Sequence, residues 1–342
     1  MTVMPEAPVK GQAWAADADA RIKPALIASR LRTAKSGDPA AAERAVLDER
    51  VRTLKKSRNA VILAHNYQAG VVQDAADFVG DSLELSRKAA AVEADVIVFC
   101  GVHFMAETAA ILSPGKTVLI PDPQAGCPMA DMITAEDMIR WKAQYPGRSA
   151  VCYVNTSAAV KAECDVCCTS ANAVKVVDSV ASREVLFAPD KNLAAWTATQ
   201  TAKTIIPWDG YCIVHNNIRA RDIREMKKLH PGAEVWAHPE CRPEVIALSD
   251  RTLSTGGMVR EARTTEACEI IVATEATMIY RLKKENPEKA FFPARELALC
   301  ANMRKITLAK LAAALETMTH RVMVPAEIAD RARQAIERMI RL

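Results

Sequence analysis

The chain has 342 residues, which is too many for one ordinary core, so two or three domains are expected. Half of the residues are hydrophobic and a quarter are charged, as in a globular protein, and no apolar run reaches the 18 or more residues of a membrane-spanning helix. The formal net charge of +4 comes without a basic run, which excludes a nucleic-acid binder of the usual type and suits a small anionic ligand. The first residues do not read as an export signal, so a cytoplasmic location is expected. In that reducing setting the ten cysteines point to metal binding, catalysis or burial rather than to disulfides. The chain has only 12 glycines and neither GxGxxG nor GxxxxGK[ST], which disfavours both familiar nucleotide-binding loops.

Residues 1–45, rich in Ala and charge, read as an extension that is partly helical and partly disordered. An amphipathic helix is expected from Arg44 to about Lys56. The apolar run Ala60–Ala64 then stops at His65-Asn66-Tyr67-Gln68, the mark of a buried parallel strand. Asp74–Ala91 reads as the next helix, Val96–Phe99 as a strand, Ala106–Leu112 as a helix and Val118–Ile120 as a strand. Val151–Val154, Val185–Ala188, Ile213–His215, Val235–Ala237 and Ile270–Ala273 continue the strands, with helical segments between them. Met303–Met318 and Ala326–Ile340 read as closing helices. The alternation makes the chain an α/β protein with parallel sheets and crossover helices. In such sheets ligands sit beyond the carboxyl ends of the strands. By position alone, that rule selects His65 and Tyr67, Tyr153 and Asn155, and His238 and Glu240. His103 and His230 stand in no such place and are left structural.

The cysteines fall into groups. Cys164, Cys167 and Cys168 resemble half of a metal motif, but no second CxxC completes a tetrahedral site; Val160–Ala173 reads as a compact turn leading into a helix, and burial is favoured. Cys100, Cys152 and Cys268 lie in or beside apolar runs and are expected in the core. Cys127, Cys212 and Cys300 each follow a turn or lie near a helix pair, and they are 85 and 88 residues apart. Three similar α/β units, each giving one thiol to a shared centre, would produce that spacing. Any three of ten cysteines can look periodic, however, and no residue-level repeat is evident.

Several strings carry a family resemblance. Ile62-Leu-Ala-His-Asn-Tyr-Gln, Asp77-Phe-Val-Gly-Asp-Ser82, Cys127-Pro-Met-Ala and Tyr153-Val-Asn155-Thr occur in order. They are followed by Cys168-Thr-Ser170-Ala-Asn, His238-Pro-Glu240-Cys, Ser254-Thr255-Gly256 and Cys300-Ala-Asn-Met. Over about residues 46–320 the chain resembles the quinolinate synthases. The resemblance implies three pseudo-symmetric three-layer αβα domains around a central cavity. In this chain they would be residues 46–126 with 303–342, then 127–211, then 212–302, after an extension of 1–45. It implies one [4Fe–4S] cluster held by Cys127, Cys212 and Cys300, with one iron left open. The implied reaction condenses iminoaspartate with dihydroxyacetone phosphate to quinolinate, releasing phosphate and water, in NAD biosynthesis. L-aspartate oxidase is the implied functional neighbour, and neither nucleic acid nor membrane is a partner.

Resemblance and chemistry together assign roles. Glu240, Tyr67 and His215 form the catalytic set, with Glu240 the general acid/base and Tyr67 a proton relay or hydroxyl holder. His65, His215 and His238 should orient carboxylates and phosphate, and Tyr153 and Asn155 should meet the ligand from the second domain. Ser82, Ser170, Ser254 and Thr255 offer hydroxyls and nearby N–H groups to anions. Thr277 departs from the family, which usually has Gly there; Asn216-Asn217 is an uncommon pair, and no cysteine accompanies Cys300. The competing classes are an iron–sulfur electron carrier or redox sensor, which would show four cysteine ligands and few ionisable neighbours, and a solute-binding protein, which would need an export signal.

Overall fold

The buried apolar runs form the middle strands of three four-stranded sheets. A computed structural model describes residues 39–342. The first sheet holds β1 (Ala60–His65), β2 (Phe78–Gly80), β3 (Val96–Cys100) and β4 (Thr117–Leu119). The second holds β5 (Ser149–Tyr153), β6 (Val166–Cys168), β7 (Glu184–Ala188) and β8 (Thr204–Pro207). The third holds β9 (Glu234–Ala237), β10 (Arg251–Thr252), β11 (Glu269–Ala273) and β12 (Ala290–Pro293). Every pairing is parallel, and the orders are β2-β1-β3-β4, β6-β5-β7-β8 and β10-β9-β11-β12, one topology three times. β1 and β3 are buried almost throughout because helices cover both faces, which is why they read as continuous apolar runs rather than alternating ones.

One side-chain device recurs in each unit. Asp77, Asp165 and Asp250 each lie 15 residues after a position on the first strand and accept that residue's N–H: Ile62 (2.9 Å), Ala150 (2.7 Å) and Val235 (2.7 Å). Each aspartate in turn donates its own N–H to the same residue's carbonyl, at 2.9, 3.0 and 2.8 Å. The pair of bonds closes the strand–helix–strand crossover into a ring and fixes where the edge strand begins. The repeat is thus present in the sequence, but as one aspartate at a fixed offset rather than as a readable string.

The core is divided unequally. One cluster runs through the first two sheets and the C-terminal helices. The third sheet has a separate cluster on each face. The helix Ala326–Arg341 buries Ala332, Ala335, Ile336 and Met339 and packs against β6 and the helices Ala158–Ala162 and His103–Leu112, so it ties the first two sheets together.

Several expectations are corrected. Asp74–Ala91 is not one helix but Gly70–Ala75, then β2, then Ser82–Ala91. Asp77 ends the first piece by taking the Ile62 N–H, and Asp81 starts the second by accepting from Leu83 and Glu84 while Glu84 accepts from Asp81. That capping box was present in the sequence as Asp81-Ser-Leu-Glu84. Ile213–His215 is the start of a helical turn, Ile213–Asn216, closed by Asn216 N–H to the Cys212 carbonyl at 2.8 Å, and not a strand. Val160–Ala173 contains β6, whose three residues are all buried. Met303–Met318 is a single 3-10 turn, Met303–Lys305, followed by the helix Leu308–Thr317, which Thr307 caps. Cys268 is exposed ahead of β11, whereas Cys100 and Cys152 are in the core and Cys167 and Cys168 are buried. Within the supposed extension, residues 39–45 belong to the helix Pro39–Ser57; its remainder lies outside the described residues.

Replacing Asp77, Asp165 or Asp250 with Ala should cost about 1–3 kcal/mol each, because it strands a backbone donor inside the crossover. Urea unfolding of the three variants measures this, and unchanged midpoints would remove the ring closure from the account.

Candidate active site

Parallel strands deliver equivalent residues to the same edge, and here three edges face one cavity of about 240 Å³. The ends of β1, β5 and β9 supply His65, Tyr153 and His238. Two residues on come Tyr67, Asn155 and Glu240, and after the edge strands come Ser82, Ser170 and Thr255. The loops that leave each sheet supply Cys127, Cys212 and Cys300. All twelve line the cavity, as does His215, one helical turn after Cys212. Ser254 stands one residue back from the wall, where its hydroxyl accepts the Gly257 N–H as a helix cap and lies 3.4 Å from Asp81.

Glu240 is at the centre of the polar network. It is only 3% exposed; Tyr153 donates its hydroxyl to Oε1 at 2.5 Å and His215 Nδ1 lies 2.7 Å from Oε2. Burial opposes its charge, but His215, His238 and the Tyr153 hydroxyl outweigh burial and hold the carboxyl well below its usual range. Arg242, the partner a surface glutamate would have used, pairs instead with Glu244 at 2.5 Å. The other face of His215 turns Nε2 to Thr274 Oγ1 at 2.9 Å, and Thr274 Oγ1 lies 2.6 Å from the Tyr67 hydroxyl. With Nδ1–H directed at Glu240, the chain runs Tyr67 O–H to Thr274 O–H to His215 Nε2, then from Nδ1–H to Glu240.

His65 and His238 are built alike. Nδ1 of each accepts the backbone N–H two residues on, Tyr67 at 3.2 Å and Glu240 at 3.3 Å, which leaves Nε2–H as the donor. His238 points that nitrogen at Ser170 Oγ, 3.2 Å away. Burial pushes both imidazoles down to about 3, so they are neutral donors near neutral pH. Burial also raises the Tyr67 and Tyr153 hydroxyls well above their usual value, with the Glu240 charge adding to it. Asn155 Oδ1 is buried with no hydrogen-bond partner among the described residues, an acceptor left for a ligand. Ser82 and Thr255 begin ten-residue helices, and both residues line the cavity.

The other cysteines stay apart from this wall. Cys152 is 2.9 Å from Thr156 Oγ1, and the strand register pairs it with Cys167 within the second sheet. His103 and His230 do not line the cavity; His230 stacks on Phe292 at 3.6 Å. Sequence reasoning overlooked Thr274, Glu275 and Asp190, although the strand-end rule reaches them just after β11 and β7. It also overlooked Asn66, which donates to Thr255 Oγ1 at 2.9 Å and accepts from Arg281 at 2.5 Å, joining the first unit to the third.

Residues 49–341 match the family model described as "Quinolinate synthetase A protein". The chain belongs to the quinolinate synthetase A family. It is 59% identical over 297 residues to "Quinolinate synthase" of Dehalococcoides mccartyi, covering 87% of this chain and 98% of that protein. It is 53% identical over 298 residues to "Quinolinate synthase" of Methanoregula boonei, covering 87% and 99%. The same name and 53% identity over 295 residues apply to a Thermodesulfovibrio yellowstonii protein, covering 86% and 97%. Family membership makes this an iron–sulfur enzyme family, and among the described residues no helix is long and apolar enough to cross a membrane.

The two depressed imidazoles fix a pH dependence. An unfolded histidine takes its proton near pH 6.5, but His65 and His238 do so only near pH 3 when folded. Between those values the unfolded chain binds more protons, so stability present above about pH 6.5 is lost as pH falls toward 3. Denaturant unfolding of the metal-free protein across that window should show the loss, and a His65→Gln/His238→Gln protein should lose less. Equal slopes would contradict the burial argument.

Proposed function

We propose that this family member condenses iminoaspartate with dihydroxyacetone phosphate to quinolinate, releasing phosphate and water, with a [4Fe–4S] cluster on Cys127, Cys212 and Cys300. The observation that carries the reading is the convergence of one thiol from each unit on the cavity that also holds Glu240 and Tyr67. Activity by descent is supported by relatives named quinolinate synthase at up to 59% identity. A division at 46–126 with 303–342, 127–211 and 212–302 gives each unit one thiol only when its first two boundaries move one residue on, so that Cys127 and Cys212 each close the unit before them. Iminoaspartate supply by an L-aspartate oxidase fits the same reaction.

The donor set suits such a group. Burial pushes the Cys127 thiol up to about 12 and raises Cys212 and Cys300 as well, and the three are close enough for Cys300 and Cys212 each to interact electrostatically with Cys127. Thiols this costly to ionise become thiolates when a cation supplies the compensating charge. Clusters usually take four thiolates, so three cysteines leave one iron open. When bound, the cluster supplies a Lewis-acidic iron for a hydroxyl or carboxylate of the substrate. Donor atoms of Cys212, His215 and Glu240 also lie within 4.8 Å of one another, but a single ion there would leave Cys127 and Cys300 without a role.

The protein's own groups do the rest. Glu240 is ionised and shielded from water, so it is placed to take a proton from carbon beside C=N or C=O and to return it to departing oxygen. Tyr153 and His215 hold its two oxygens in place. Tyr67, joined through Thr274 to His215, is a second proton source at the other end of the chain that leads to Glu240. His65 and His238 donate Nε2–H to anionic groups without adding charge, and the hydroxyls of Ser82, Ser170 and Thr255 with the two helix starts suit carboxylates and phosphate. Asn155 accepts a hydroxyl or N–H from the ligand.

Cys127→Ser, Cys212→Ser and Cys300→Ser should each lose the visible iron–sulfur absorbance after anaerobic reconstitution, whereas Cys164→Ser and Cys167→Ser should keep full iron and sulfide counts. A Glu240→Gln protein, fully loaded, should fall by at least about a hundredfold in quinolinate formation. Near-normal turnover would remove Glu240 from the mechanism, and iron retained by Cys127→Ser would undo the ligand set.

A further inference from the structure

The registers Ala64↔Cys100, Cys152↔Ala188 and Ala237↔Ala273 align the third strand of each unit, and two residues beyond those strand ends stand Val102, Asp190 and Glu275. In all three units the next residue's N–H bonds to the carbonyl two residues ahead of the cysteine. His103 reaches Ala125 at 2.7 Å, Lys191 reaches Gly210 at 2.8 Å and Ala276 reaches Ala298 at 2.8 Å. That tie sets where each cysteine loop leaves its sheet. Two of the units add a second tie, to the cysteine itself. Asp190 Oδ2 accepts the Cys212 N–H at 3.0 Å, and Glu275 Oε1 accepts the Cys300 N–H at 3.0 Å. Val102, at the same place in the first unit, has no acceptor to offer Cys127.

Both carboxylates have their remaining oxygen occupied by N–H as well. Asp190 Oδ1 accepts from Leu193 at 2.7 Å, and Glu275 Oε2 accepts from Thr277 at 2.7 Å. Capping the helix Lys191–Gln200 would require only one oxygen of Asp190; the other is directed at the cysteine. An amide in either place would have to turn its NH2 toward a backbone N–H. Thr277 adds its hydroxyl to Glu275 Oε1 at 3.2 Å.

We propose that Asp190 and Glu275 are positioning residues that hold Cys212 and Cys300 in place for the cluster, so that the Cys127 arm is the least constrained of the three. The proposal rests on the three-cysteine reading above. Backbone partners outside the ligand shell of a metal typically change affinity about 10–100-fold when lost.

The test follows cluster loss, not turnover. Reconstituted wild type, Asp190→Asn, Glu275→Gln, Glu275→Asp and Asp165→Ala are exposed to an iron chelator under anaerobic conditions. The bleaching rate is compared with the melting temperature of each metal-free protein. Asp190→Asn and both Glu275 variants should bleach at least about tenfold faster than wild type. Asp165→Ala, which weakens the second unit without touching a cysteine loop, should melt lower but bleach at the wild-type rate. If Asp190→Asn does not fold, the Glu275 pair decides. Wild-type bleaching by the carboxylate variants, or equally fast bleaching by Asp165→Ala, would overturn the positioning role while Cys212→Ser still fails to load. Full loading of Cys212→Ser would overturn the cluster reading and the positioning role together.

Discussion

Parallel register is the constraint on which the site depends. Because every strand in a unit runs the same way, all strand ends meet one edge, and the side chains placed there repeat at fixed offsets from the first strand. Three such edges around one cavity bring together twelve side chains that are scattered over more than two hundred residues of sequence. The aspartates at 77, 165 and 250 keep this register by closing each crossover at both the N–H and the carbonyl of one first-strand residue. A slip of one residue in a first strand would turn its inward side chains to the other face and withdraw that unit's contribution.

Threefold placement does not produce threefold chemistry. At one position the units offer His65, Tyr153 and His238, and at the next Tyr67, Asn155 and Glu240. Across these six positions the result is one carboxylate, Glu240, among neutral groups. Two histidines are stripped of charge by burial, and two tyrosines keep their protons, so Glu240 is the anion that the network sustains. An anionic ligand entering such a cavity meets uncharged Nε2–H and O–H groups, since neither Lys nor Arg is among the lining residues. The asymmetry of the cysteine loops follows the same pattern, with acceptors at Asp190 and Glu275 but an aliphatic side chain at Val102.

Much of this was legible in the chain itself. Buried central strands announced themselves as apolar runs, and at the ends of the first strand of each unit stand His65, Tyr153 and His238, which line the cavity. Of the edge strands only β4 was legible, as Val118–Ile120: β2, β6, β8, β10 and β12 have two to four residues and take their place from pairing rather than from apolar content. Ile213–His215 looked like a strand because three residues are too few to show a period, and its helical turn depends on the Cys212 carbonyl. Cys268 looked buried beside Ile270–Ala273 because sequence adjacency to a strand does not reveal which side of its first residue faces solvent. The aspartate repeat escaped because a match of one residue in fifteen is not visible until the hydrogen bonds give it meaning. Thr274 escaped because its hydroxyl matters only through two distant partners, Tyr67 and His215.

The central claim is that one cysteine from each of three like units leaves a single iron of one cluster free to meet the ligand. Mössbauer spectra of the iron-57 protein, with and without pyridine-2,3-dicarboxylate, test it most directly. The account predicts that the dicarboxylate shifts about one iron in four of a [4Fe–4S] centre and leaves the others unchanged. A spectrum of isolated ions, or a cluster whose irons all ignore the dicarboxylate, would contradict it.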